Sequence, residues 1–360
     1  MRILHYIDAD NISWLVPYIR HIKTLEALGI KSIFLCRPGF AESYARENKI
    51  ETYTFKPLIP SMPFLSIGFK NLIEKIQPDL IHTRLSSAAH IAGFWGKHLK
   101  IPVISTFDKP AKAKYYLNSN YYISCAEWLK NYMVNKQKLD PQKISVIHNP
   151  VDTEFFKPDL LLRETFRKEL GLPEDAILIS GMGIYVERKG FDVLIKACED
   201  LNVTLVLIGG ETKEQGMREK YDFLAKSHNV NLILPSDFVK DVREYLQASD
   251  IFVMPSREEG FSVALLEALA SGLPVIVSDI EPFTEIITHK FNGLIAKKDD
   301  VKSFADAIKT MLELSPNERG NLITRSLELV RSKFTHKVSA EKTLNVYEKV
   351  LRDFKSGRNL

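Results

Sequence analysis

The chain has 360 residues, 45% hydrophobic and 26% charged, with a formal net charge of +4. That is long for one core and comfortable for two, with a composition ordinary for a soluble globular protein. No run approaches the roughly 20 consecutive apolar residues of a membrane span, and the N-terminus MRILHYIDAD turns acidic too early for a signal peptide, so a cytoplasmic protein is expected.

The charge is uneven. Residues 1–150 hold 20 Lys and Arg against 11 Asp and Glu, whereas the remainder holds 29 against 34. Either the first half carries ordinary solvated lysines, or it faces an anionic acceptor or an anionic membrane surface. Cys36, Cys125 and Cys198 lie far apart in apolar stretches, which suits buried reduced thiols rather than a disulfide or metal cluster.

The first half alternates short apolar runs with helical spacing. Strands are predicted at Arg2–Ile7, Ile33–Cys36, Thr52–Phe55, Leu80–Thr83, Pro102–Thr106, Tyr121–Ser124 and Ile144–Ile147. Helices are predicted at Trp14–Leu28, Ile67–Ile76, Ala88–Leu99 and Glu127–Asn135. The segment His148–Pro158 carries two prolines and breaks the periodicity as a linker would.

The pattern then restarts. Ala176–Ser180, Val203–Ile208, Val230–Leu234, Ile251–Met254 and Pro274–Ser278 read as strands, with helices that include Phe191–Cys198 and Val263–Ser271. Unbroken apolar runs are what buried parallel strands require. The expected fold class is therefore α/β, with two doubly wound Rossmann-like domains facing a central cleft at the carboxyl ends of their strands. The first domain is placed at 1–152, completed by a C-terminal helix at about 337–360, and the second at 153–336.

The most informative stretch is PSREEGFSVALLEALASG, Pro255–Gly272. Ser262 can cap the helix and Gly272 can end it. The backbone N–H groups of Phe261, Ser262 and Val263 then open a site for phosphate, because unpaired donors and the helix dipole favour an anion. Glu259 precedes this helix start and Glu267 lies one turn inside it, among leucines and alanines, where a carboxylate needs a donor such as a ribose hydroxyl. Arg188 and Lys189 follow the first strand of the second domain, where cations could stabilise a leaving diphosphate.

Glu259-Gly-Phe-Ser-…-Glu267, with seven residues between the glutamates, resembles the signature of the retaining glycosyltransferases of family 4, which have the GT-B fold. Asn149-Pro-Val-Asp152, Lys189-Gly-Phe-Asp192 and Ser271-Gly-Leu-Pro-Val-Ile276 resemble further family motifs in the right order. Ile81-His-Thr-Arg-Leu-Ser-Ser-Ala-Ala89 is similar to members that build lipopolysaccharide or other surface glycans.

The resemblance implies a hexosyltransferase that binds a nucleotide diphosphate sugar in the second domain and a glycan or glycolipid in the first. It implies neither a cofactor nor a catalytic metal, and no nucleic acid partner. Glu259 would contact the transferred sugar, Glu267 the ribose, and Lys189 the diphosphate. The loop at Gly183, the Gly260–Val263 backbone and the loop near Phe238 would complete the donor site. The adjacent Arg188–Lys189 pair resembles lipopolysaccharide-core glucosyltransferases, so a uridine diphosphate donor is expected. A place at the inner face of the plasma membrane would suit such an acceptor.

Three departures stand out. Ile184 occupies a position where the family often has Arg, and Arg188 is the nearest replacement. Thr106-Phe107-Asp108 stands where the family has Thr-x-His; Asp108 could orient a hydroxyl or accept a proton. The loop after the first strand, Asp8-Ala-Asp-Asn-Ile12, lacks glycine, so Asp8, Asp10 and Asn11 serve either as hydroxyl-binding groups or as loop caps. No Walker loop or His-Glu-x-x-His site is present, and the histidines show no ligand spacing. Two rivals remain: a nucleotide-sugar epimerase of the same fold, and a catalytically silent nucleotide-sugar binder.

Overall fold

The computed structural model describes residues 1–11, 14–211, 214–235, 239 and 241–357. The chain divides into two compact units, Met1–Pro150 with His336–Leu360, and Val151–Thr335.

Within the first unit the strands are β1 (Arg2–Ile7), β2 (Lys31–Cys36), β3 (Glu51–Thr54), β4 (Leu80–Arg84), β5 (Val103–Phe107), β6 (Tyr121–Ser124) and β7 (Ile144–Val146). They form one parallel sheet in the order β3-β2-β1-β4-β5-β6-β7. The period-2 alternation of strand side chains sends Ile3 to one face and Leu4 to the other. On the Ile3 face the C-terminal helix His336–Lys355 buries Ala340, Val346, Tyr347 and Val350 against Leu80, Ile104 and Ile123. On the Leu4 face Phe69, Ile73 and Ile91 close the layer.

The second unit contains β8 (Leu178–Met182), β9 (Thr204–Ile208), β10 (Asn231–Ile233), β11 (Ile251–Met254), β12 (Val275–Ser278) and β13 (Leu294–Ala296). They too are parallel, in the order β10-β9-β8-β11-β12-β13. Each sheet thus reverses its strand order beside its own first strand, between β1 and β4 or between β8 and β11. The carboxyl ends of those strands form the crevice where doubly wound sheets bind ligands.

Local chemistry explains the helix starts. Asp159, Asp241 and Asp300 cap their helices through Leu162, Arg243 and Ser303 N–H groups. Ser315 and Glu318 make a reciprocal capping box, with Pro316 in the first turn.

The α/β class and the parallel strands agree with the sequence reading, with local differences. β8 begins two residues later than its apolar run, because Arg167 Nη2 takes the Ala176 carbonyl at 2.5 Å and Asp250 accepts the Leu178 N–H at 2.8 Å. It continues through Gly181 and Met182, which pair with Leu207 and Ile208 and bring the strand up to Gly183. The helix Phe40–Glu47 and the three-residue edge strand β13 are not apparent in the sequence. The helix spans only eight residues and buries two small side chains, Ala41 and Ala45.

Candidate active site

The second unit gathers its charged groups where β8 and β11 end. Gly183 follows β8, with φ +151° and its N–H donating to the Ile208 carbonyl at 2.9 Å. The turn Glu187–Lys189 then delivers Arg188 and Lys189. Gly190, at φ +67°, lies against β11's exit; a Cβ there would stand 2.2 Å from the Pro255 carbonyl oxygen. That contact is the physical reason for glycine after Lys189.

Arg257 fastens the two loops together. Its N–H donates to the Arg188 carbonyl at 2.8 Å. Its guanidinium donates to both Asp192 oxygens at 2.9 and 2.8 Å, to the Glu187 carbonyl at 2.5 Å and to Asp299 at 2.5 Å. Burial alone would raise the Asp192 carboxyl, but the two-pronged Arg257 contact outweighs it and holds the group below the usual carboxylate range.

Lys189 Nζ donates to Glu259 Oε1 at 2.5 Å, and Ser256 Oγ donates to the same oxygen at 3.0 Å. Arg188 Nη1 stands 3.6 Å from Glu259 Oε2. Two cations against one carboxylate leave a net positive charge. Arg188 is exposed, whereas Lys189 is buried, its stem lying across Gly183.

The helix Val263–Ala270 starts beside this cluster in sequence, four residues after Glu259. Ser262 is its cap: Oγ accepts from the Leu265 N–H at 3.2 Å and donates to the Met254 sulfur at 3.2 Å. The N–H groups of the first turn have no acceptor within the helix. Phe261 turns its ring into the unit, 6.0 Å from Phe334, so its backbone rather than its side chain borders the helix start. Gly260 is half-buried, and so is Glu267, flanked by the buried Leu265, Leu266, Ala268 and Leu269. Glu259, not Glu267, is the partner of Lys189. Phe238 lies outside the described residues.

In the first unit Asp108 follows β5 and is held by neighbours from other segments. Arg84, the last residue of β4, places Nη2 3.4 Å from Asp108 Oδ1 and donates to Asn149 Oδ1 at 2.8 Å. Burial raises the Asp108 carboxyl, opposed by Arg84, Asn149 and Lys109. Asp10 and Asn11 are exposed, and the Asp10 carbonyl accepts from the Ala41 N–H. Asp8 is not available to a sugar: Arg37 donates to its two oxygens at 2.7 and 3.0 Å, which makes it a brace for this glycine-free loop.

Sequence reasoning missed Arg84, Ser256 and Arg257 as site-shaping groups. Arg84 and Asp192 lay inside quoted motifs, and an arginine at the carboxyl end of a parallel strand was the available signal for Arg84. His82 is structural, its ring nitrogens occupied by Tyr347 OH at 2.6 Å and Thr106 Oγ1 at 2.7 Å.

Two family descriptions match adjoining parts of the chain: Glycosyltransferase Family 4 over residues 19–155 and Glycosyl transferases group 1 over residues 163–328. The chain belongs to the family 4 glycosyltransferases. As a family 4 enzyme it is 27% identical over 296 residues to the UDP-Gal:alpha-D-GlcNAc-diphosphoundecaprenol alpha-1,3-galactosyltransferase of Escherichia coli, covering 74% of this chain and 76% of that relative. It is 26% identical over 225 residues to the D-inositol 3-phosphate glycosyltransferase of Mycobacterium bovis, covering 61% of this chain but only 46% of that relative's length. The crystal structure of Anabaena HepE in complex with UDP superposes with a TM-score of 0.88 at 16% identity, over 97% of this chain and 100% of that one. The last likeness supports the GT-B fold of this glycosyltransferase.

Proposed function

We propose that the protein moves a hexose, with retention of anomeric configuration, from a uridine diphosphate sugar to a glycan or glycolipid of a surface polysaccharide or lipopolysaccharide. The observation that carries this reading is the buried Lys189–Glu259 pair, 2.5 Å apart, with Arg188 beside it and Gly183 beneath the lysine stem. As the sugar–phosphate bond breaks, negative charge grows on the leaving diphosphate, and fixed cations lower that barrier most where they are shielded from water. Lys189 and Arg188 are suited to this task without a bound metal. Glu259, released from Lys189 by the incoming phosphate, becomes an acceptor for hydroxyls of the transferred sugar. The Gly260–Val263 backbone is suited to diphosphate and sugar, and Glu267 to the ribose.

Support for the donor and acceptor comes from two similar proteins, one described as using UDP-Gal and a diphosphoundecaprenol-linked GlcNAc, the other solved with UDP. The first unit would take the acceptor, with Asp108, Asp10 and Asn11 on its carboxyl edge, and the second the donor. A lipid-linked acceptor also suits the surface. Leu58, Phe64 and Ile67 are exposed by 85, 53 and 58% near Lys56 and Lys70 in sequence, and Lys109, Lys112 and Lys114 are exposed too. Among the described residues no helix is long and apolar enough to cross a membrane, so contact at an anionic leaflet would be peripheral.

The test is UDP release from UDP-galactose and UDP-glucose by the full chain, with and without a GlcNAc-diphospholipid, followed by NMR of the product's anomeric centre. Acceptor-dependent release and an α-linked product are expected. Failure of UDP and of both sugars to raise the thermal midpoint, with no release, would overturn the reading. Release that is indifferent to acceptor, with an isomerised sugar, would favour the epimerase.

A further inference from the structure

Arg84 is a hidden cation. Its side chain is 13% exposed, and its guanidinium carbon lies 4.8 Å from the Trp14 ring centroid and 4.9 Å from that of Tyr18. Hiding a guanidinium is costly unless it is paired, and stacking on two aromatic rings also fixes its plane. Yet its pairing with Asp108 is a single contact of 3.4 Å, with the same nitrogen donating to Asn149. Arg84 Nε and Asp108 Oδ2 are both buried without a partner among the described residues. The Arg37–Asp8 pair in the same unit shows the alternative, a closed fork with both prongs used. A pair that served the fold alone would close likewise.

We infer that Arg84, with Asn149, is a positioning residue that holds the Asp108 carboxylate in place and ionised, so that it accepts a hydrogen bond from a hydroxyl of the acceptor. The inference rests on the transferase reading and adds to it the group that aims Asp108. An ionised carboxylate accepts the hydroxyl's hydrogen bond, whereas a protonated carboxyl would offer a competing donor.

The groups facing Asp108 are Arg84 from β4, Tyr18 from the helix Leu15–Ala27, Tyr116 from the turn after Ala113–Tyr115, Asn149, and the adjacent Lys109. Burial favours the protonated carboxyl, and Arg84 opposes it. Losing Arg84 therefore moves Asp108 towards protonation at a given pH.

The experiment uses the full chain labelled with 13C at aspartate carboxyls, with Asp108→Asn to assign the resonance. In Arg84→Gln the Asp108 midpoint should rise by about one pH unit or more, since an adjacent arginine typically lowers an aspartate by 1–3 units. Arg84→Lys should restore part of the shift. The acid limb of the pH profile for UDP-galactose turnover should move in the same direction. An unmoved midpoint in a folded Arg84→Gln, or a moved midpoint with an unmoved acid limb, overturns the positioning role. If Arg84→Gln does not fold, Arg84→Lys and Asn149→Ala decide by the same two readouts. Wild-type protein that neither binds UDP nor turns over UDP-galactose overturns the transferase reading itself, a result distinct from failure of the Arg84 coupling alone.

Discussion

Lys189 Nζ and Glu259 Oε1 stand 2.5 Å apart with only 10 and 9% of their side chains exposed. Each partners the other, so the proposed donor must compete with Glu259 for the lysine. Lys189→Ala should lower kcat by about 100-fold or more, as removal of one preorganised charge donor does. It should also lower stability, but by less than the roughly 3 kcal/mol of a buried pair broken outright, because Glu259 keeps Arg188 at 3.6 Å and the Ser256 hydroxyl. The double variant Lys189→Met/Glu259→Gln should recover much of the melting temperature and none of the activity. An active Lys189→Ala enzyme would count decisively against this donor site.

Gly183 supports that lysine. A Cβ at position 183 would meet Lys189 Cε at 2.7 Å and Nζ at 3.0 Å, in a backbone conformation, φ +151°, that suits glycine. A free lysine end could step aside, but this one is pinned by Glu259. Gly183→Ala should therefore impair turnover of the donor more than it lowers the melting temperature. Comparable kcat and KM for wild type and variant would show that the lysine is not held where it lies.

Arg257→Met removes the clasp between the Glu187–Lys189 turn and the β11 exit. Its main partner, Asp192, has a folded-state pKa below its unfolded value, so the stabilisation is present above about pH 4 and fades as pH falls through the folded value. Wild type should exceed the variant in melting temperature by a constant margin above about pH 5, and the margin should shrink on further acidification. A margin independent of pH down to the acid transition would assign the effect to packing.

Three buried histidines predict acid sensitivity of the first unit. Burial, aided by Arg84, lowers His5 to about 3; burial likewise holds His21 and His82 well below the ordinary value. They stay neutral in the fold and protonate on unfolding below about pH 6.5. Each then withdraws up to about 1.4 kcal/mol of stability per pH unit as pH falls. Both His5 ring nitrogens lack partners among the described residues, so His5→Leu should be neutral or stabilising at pH 7 and should flatten the acid slope. Urea titrations at pH 7 and 5.5 measure this, and an unchanged slope would exclude His5 from it.

The order of apolar runs was enough to read two parallel α/β layers, because burial of a parallel strand on both faces writes an unbroken hydrophobic segment into the chain. The Ser262 cap was legible for a similar reason: a cap and its helix are neighbours in sequence. Pairing among the loops was not. Lys189 and Glu259 are 70 residues apart, Arg84 and Asn149 65, and Arg257 and Asp192 65. Sequence named these residue types at strand ends, but only the packing of the sheets decided which charges were buried together and which buried atoms were left without a partner. Periodicity is a local property of the chain, whereas the energy of a charge depends on how much water remains around it and on what stands within a few ångströms.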